Sequence, residues 1–236
     1  MQQQLSELVE RLNKAFTDRL ISVILYGSGA MGDWNEHNSD LNVLCVLNRL
    51  TPEELAQSEP IFRWWRDKGN PPPLLLTDEE VRTSTDCFPM EFYDMQEHRR
   101  VLSGKDVVHE LEIDRSFYRA QVEHELRAKQ IRLRQTAAGL LSNSERLTRL
   151  MIDSISTFCV LGRHALILSG REPRWKKKEI VTALEAALNI RLPAANEILA
   201  IRASGKTAAQ TEPRSLLQHY MREMDALVEF VDVLPK

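Results

Sequence analysis

Gly27-Ser28 and, after eleven intervening residues, Asp40-Leu41-Asn42 are the residues whose types and spacing could do chemistry. Glycines at 27 and 29 let a backbone approach a ligand closely, and the Ser28 hydroxyl can join exposed N–H groups in holding an anion. Asp40 offers a hard oxygen ligand of the kind magnesium selects. Asn42, two residues on, points to the same face if this stretch is extended. The implied chemistry is that of nucleotides: a turn that holds phosphate, opposite a strand that presents a carboxylate.

Such a turn needs two strands to position it. Residues 21–26 (ISVILY) and the run from Ser39 to Leu47 are apolar and rich in β-branched residues, with polar and glycine residues between them. That pattern predicts two buried strands joined by a functional loop. Leu5, Leu8, Val9, Leu12 and Ala15 fall at helical spacing, so residues 3–18 should lead into the first strand as an amphipathic helix. Thr51-Pro52-Glu53-Glu54 is a helix start, with a cap, a proline in the first turn and acids at the positive end. That helix should run to about Lys68, with Trp64 and Trp65 packed at a helix–sheet interface rather than stacking on bases.

Residues 74–76 (LLL) read as a short buried strand, and Thr77-Asp78-Glu79-Glu80 as the start of a short helix. Residues 88–95 (FPMEFYDM) alternate as a strand does, which would put Glu91 and Asp94 on opposite faces. Residues 98–104 should close the sheet as a strand or turn. Arg99 and Arg100 there have two readings, phosphate clamp or surface charge.

Gly27-Ser28, the spacer, then Asp40-Leu41-Asn42-Val43 resembles the signature of the nucleotidyltransferase superfamily typified by DNA polymerase beta and kanamycin nucleotidyltransferase. The resemblance implies that Gly27 and Ser28 hold nucleotide phosphates and that Asp40 binds Mg2+, or Mn2+, together with a nucleoside triphosphate. It also implies a third carboxylate on a neighbouring strand, for which Glu91 is the candidate and Asp94 the second choice. Two positions depart from the pattern: the second acid is Asn42, and the arginine frequent in this loop is Met31. An amide oxygen can still ligate, but one full negative charge is gone from a site meant to hold two cations. The loss should weaken chiefly the metal that activates the nucleophile.

From about residue 114 the pattern is helical: 115–141, 145–168, 175–188, 193–203 and 213–234, with short connections. Short links between amphipathic helices describe a bundle. The fold expected is therefore α+β: a small mixed β-sheet domain flanked by helices over residues 1–112, then an all-α helical bundle over 113–236. That order resembles kanamycin nucleotidyltransferase, in which the helical domain supplies a general base. Neither Glu123 nor Glu125 is singled out for that role by any local motif. Arg127 and Arg134 lie two turns apart on one helix face, and i,i+4 pairing to acids explains them better than an RNA or triphosphate track.

Composition sets the outer limits. Of 236 residues, 43% are hydrophobic and 28% charged, enough to build a core without disulfides or a structural metal. A net charge of −3 argues against binding nucleic acid by bulk electrostatics. Cys45, Cys87 and Cys159 lack metal or redox spacing and read as buried free thiols. The N-terminus lacks signal-peptide character, and no run approaches the length of a membrane span, so a cytoplasmic protein without a membrane partner is expected.

Three functions compete. The first is transfer of a nucleoside monophosphate from a nucleoside triphosphate to an acceptor hydroxyl on a small molecule, a protein or RNA, with Asp40 and Glu91 catalytic and Asp40, Asn42 and Glu91 holding metal. The second is a catalytically inactive nucleotide-binding paralogue on the same scaffold, motivated by Asn42 and Met31. The third makes the helical part an interaction surface for a partner protein or a second copy.

Overall fold

The computed structural model describes residues 1–31, 41–205 and 211–234. The chain forms two compact units, Met1–Ser116 and Phe117–Lys236.

The first unit is built on a four-stranded sheet in the order β3-β2-β1-β4, with β1 at Leu20–Tyr26, β2 at Asn42–Leu47, β3 at Leu74–Thr77 and β4 at Arg99–Gly104. β1 runs antiparallel to β2 and β4, while β3 is parallel to β2, so the sheet is mixed as expected. Burial on both faces explains why β1 and β2 are nearly continuous apolar runs. Val23, Leu25, Val43, Cys45 and Leu47 join Leu5, Leu8, Leu12 and Phe16 of α1 (Gln2–Phe16), and Ile61 and Trp65 of α2 (Pro52–Asp67). On the other face Ile24, Leu44 and Val46 pack with Val81 of α3 (Asp78–Thr83) and Phe92 and Met95 of α4 (Pro89–Glu97).

The cap at Thr51 forms as the sequence predicts, as a reciprocal capping box with Glu54. Thr77 and Glu80 form a second one at the start of α3. Trp65 is fully buried, while Trp64 packs beside it under the Arg11 guanidinium, 4.4 Å from the ring centroid. Both tryptophans are therefore structural.

Several expectations are corrected. Residues 89–97 are a helix, not a strand. Pro89 stands at the first helical position, where its fixed φ suits a helix, and Phe92 and Met95 are buried at i,i+3 spacing. Phe88, which a strand would alternate inward with Met90 and Phe92, is 53% exposed. β3 is an edge strand with Leu74 half out in solvent, not a buried one. Cys87 is exposed; only Cys45 and Cys159 are buried, and burial pushes each of those thiols up to about 12.

The second unit packs α5 (Tyr118–Ala138), α6 (Ser144–Leu168), α7 (Lys177–Leu188), α8 (Pro193–Ser204) and α9 (Pro213–Asp232). α6 is central and touches each of the other four. That position demands apolar residues nearly all round, and α6 is accordingly long and apolar enough to cross a membrane by length and composition. The expectation that no run has this character is thus corrected. In the bundle 61% of its apolar window is buried, as in a core helix.

Candidate functional site

β1 ends at Tyr26 in extended backbone, and the chain turns at once through Gly27–Gly29. Gly27 has φ +71°, a conformation that strains any residue with a Cβ. Its carbonyl accepts from the N–H groups of Ala30 (3.0 Å) and Met31 (3.2 Å), which closes the turn. Gly29 is buried, and a Cβ there would stand 3.1 Å from Leu41 and 3.3 Å from Leu25. Glycine at 29 lets the turn lie flat over the strand pair and leaves Ser28 half-buried at its tip.

Asn42 stands directly across the sheet from Tyr26. Its amide nitrogen would lie 3.3 Å from a Cβ on Gly27, so the Asn42 side chain flanks the turn. Strand alternation puts Asn42 on the face of Leu44 and Val46, the face that α3 and α4 cover.

Glu91 reaches this face from the first turn of α4, where the helix dipole favours its charge. Burial raises the pKa of the Tyr26 phenol, and the nearby Glu91 carboxylate raises it further. Glu91 is therefore near enough to the end of β1 to act on the Tyr26 phenol, although it is exposed and helical rather than on a strand. The same correction moves Asp94. At i+3 on a helix it sits on the same flank as Glu91, not opposite it. The expected strand-borne carboxylate has no counterpart on β3, the strand beside β2, which carries Leu74, Leu75, Leu76 and Thr77.

Asp40 lies outside the described residues, so the sequence argument alone speaks for it. Its neighbour Leu41 is held by a residue that sequence reasoning passed over. The Leu41 N–H donates to Asn70 Oδ1 (3.3 Å), a buried side chain just after α2. The Gly-Asn-Pro stretch at 69–71 marks the end of a helix by its residue types and carries no local signal for this bond. Tyr26 likewise reads only as a strand residue.

Arg99 is not free to clamp phosphate. Its guanidinium bonds both carboxylate oxygens of Asp106 at 2.9 Å and contacts His109 Nδ1 at 3.0 Å. Arg100 is exposed. In the second unit Glu123 pairs with Arg119 (3.1 Å) and Arg127 (2.8 Å) at the expected i,i+4 spacing, whereas Arg134 pairs with Asp225 of α9 (2.8 Å) rather than with an acid on its own helix.

Among the described residues no group of three or more His, Cys, Asp or Glu could hold a metal. Two of the candidate donors, the Asn42 amide and the Glu91 carboxylate, offer hard oxygens. In type they fit a small divalent cation.

A mixed four-stranded sheet that carries a Gly-Ser turn, followed in the chain by a helical unit, is a nucleotidyltransferase fold. No protein-family model matches the chain, and no curated protein matches it. Among solved structures the chain is similar to spectinomycin adenyltransferase AAD(9) from Enterococcus faecialis, crystallised with ATP and spectinomycin. The TM-score is 0.65 over 96% of this chain and 99% of that one, at 16% sequence identity. At that identity the likeness is one of fold.

Proposed function

We propose that the protein binds a nucleoside triphosphate at the Gly27–Gly29 turn and transfers its nucleoside monophosphate to an acceptor hydroxyl. The reading rests on one observation above the rest: a sharp glycine turn at the end of β1, with the Asn42 side chain beside it across the sheet. In it the backbone N–H groups of the turn and the Ser28 hydroxyl orient phosphate oxygens. Asp40, Asn42 and Glu91 hold magnesium or manganese, which when bound neutralises charge on the phosphates. In this reading Glu91 also accepts the acceptor's proton. The adenyltransferase of similar fold was crystallised with ATP and spectinomycin, which supports a nucleoside triphosphate and a second small molecule as the ligand classes.

A second reading, nucleotide binding without transfer, has its own support. Asn42 is uncharged, and β3 offers leucines where a strand-borne acid would stand. One experiment separates the two. Purified protein is incubated with labelled nucleoside triphosphates and Mg2+ or Mn2+, beside Asp40→Ala and Asn42→Asp variants. Pyrophosphate release that is lost in Asp40→Ala and increased in Asn42→Asp supports transfer. Saturable binding with no release from any of the three supports the binding reading. Release that survives Asp40→Ala belongs to a contaminant, and failure to bind any nucleotide overturns both readings.

A further inference from the structure

α5, α6 and α9 enclose a pocket of about 200 Å³ within the helical unit. Leu126, Leu133, Phe158, Leu161 and Met224 form its apolar wall, and all five are buried. On the solvent side Lys129 and Arg132 line it from α5, half-buried and exposed respectively.

These two cations differ from the others on their helix. Arg119 and Arg127 share Glu123, and Arg134 bonds Asp225, whereas Lys129 and Arg132 have no acidic partner among the described residues. The acid at the mouth, Asp153, is engaged by Arg149 at 3.1 Å. An apolar recess inside a bundle, bordered by two uncompensated cations, is complementary to a molecule with an apolar body and a negative head.

We propose that this pocket binds a small amphipathic monocarboxylate, with its hydrocarbon inside the wall and its carboxylate at Lys129 and Arg132. Size limits the body. A closed apolar cavity of about 150 Å³ accommodates benzene, so this one takes a single ring or a chain of about eight carbons. Burial of the apolar body supplies most of the affinity, and the charges set the sign of the head group. A polycationic acceptor is excluded from this pocket by the same charges.

The test uses the full chain and octanoate, with octylamine and octanol as size-matched probes. Binding is followed through the side-chain methyl NMR signals of Met224 and the lining leucines. Octanoate should saturate these signals with a dissociation constant at or below about 1 mM. It should bind about three- to tenfold more tightly than octylamine, and the preference should vanish in K129A/R132A. Those two residues face solvent, so the variant should keep the parent's thermal melt. T157F, which narrows the pocket from α6, should abolish binding of octanoate and octanol alike. Equal binding of octanoate and octylamine, or a preference that survives K129A/R132A, overturns the anion assignment. Absence of any saturable methyl shift with octanoate overturns the pocket itself.

Discussion

Each unit buries one glutamate to hold a helix start, and the two glutamates answer burial in opposite ways. Glu54 in the first unit is fully buried and accepts from Thr51 N (3.0 Å) and Thr51 Oγ1 (2.5 Å), Arg19 (2.5 Å) and Arg49 (3.1 Å). The hydrogen bond from Thr51 outweighs the opposing cost of burial, and with the two arginines it holds the carboxyl down at about 2. Glu223 in the second unit is 5% exposed and accepts only from the backbone N–H groups of Ala194 (2.7 Å) and Ala195 (2.8 Å) at the start of α8. Burial there outweighs those two bonds, Glu185 adds like charge, and the carboxyl rises to about 7. Burial alone does not set a carboxyl's charge state; what decides is whether the hydrogen bonds and cations that meet it outweigh the loss of water.

The sharpest way to break the contrast is Glu54→Ala. It removes the capping partner of Thr51 and leaves Arg19 and Arg49 without their acid, so the first unit should lose more stability than with any other single change considered. A fall of several degrees in the melt followed by Trp64 and Trp65 fluorescence in a W34F/W175F background would show it. Removing the carboxylate in this way should also flatten an acid limb. A depressed carboxyl contributes stability that is fully present above its unfolded value of 4.5 and is lost as pH falls towards 2.

Glu223 should give the opposite slope. Its raised carboxyl favours folding below pH 4.5 and loses that contribution as pH rises through about 7. Between pH 5 and pH 8 the stability of Glu223→Gln relative to the parent should therefore improve, by up to about 3 kcal/mol. Urea denaturation of both proteins at the two pH values measures it. A shift in the opposite direction would mean that Glu223 is ionised and stabilising at pH 5.

Smaller effects refine the picture. Gly27→Ala places a Cβ at φ +71° and against Asn42, and should cost about 1–2 kcal/mol while weakening nucleotide binding more than it weakens the fold. Tyr118→Phe removes the 2.6 Å buried bond between the phenol and His164 Nδ1 in the second unit. It should cost about 1 kcal/mol in urea melts and leave nucleotide binding unchanged.

The region that chemistry points to was harder to read from sequence than the region of regular helices. All five bundle helices lie within a few residues of their expected ranges, because 3.6-residue periodicity over three or more turns is a strong local signal. Met90 and Phe92 at period two imitate a strand, whereas Phe92 and Met95 dock on the sheet together at helical spacing. That docking is a long-range event which nine residues do not encode by themselves.

By itself the sequence determined the glycine turn, the strand pair beside it, the capping boxes at Thr51 and Thr77 and the helical character of the C-terminal half. Each of these is fixed by residues within one or two turns of one another, where backbone sterics and hydrogen bonding act locally. Tertiary structure decided which side chains meet. It brought Glu91 to Tyr26 from a helix, gave Arg99 to Asp106, fastened Leu41 to Asn70, and left Lys129 and Arg132 beside an apolar pocket. Such pairings depend on how elements distant in the chain pack and on what charge each packing buries, and no local pattern carries that information.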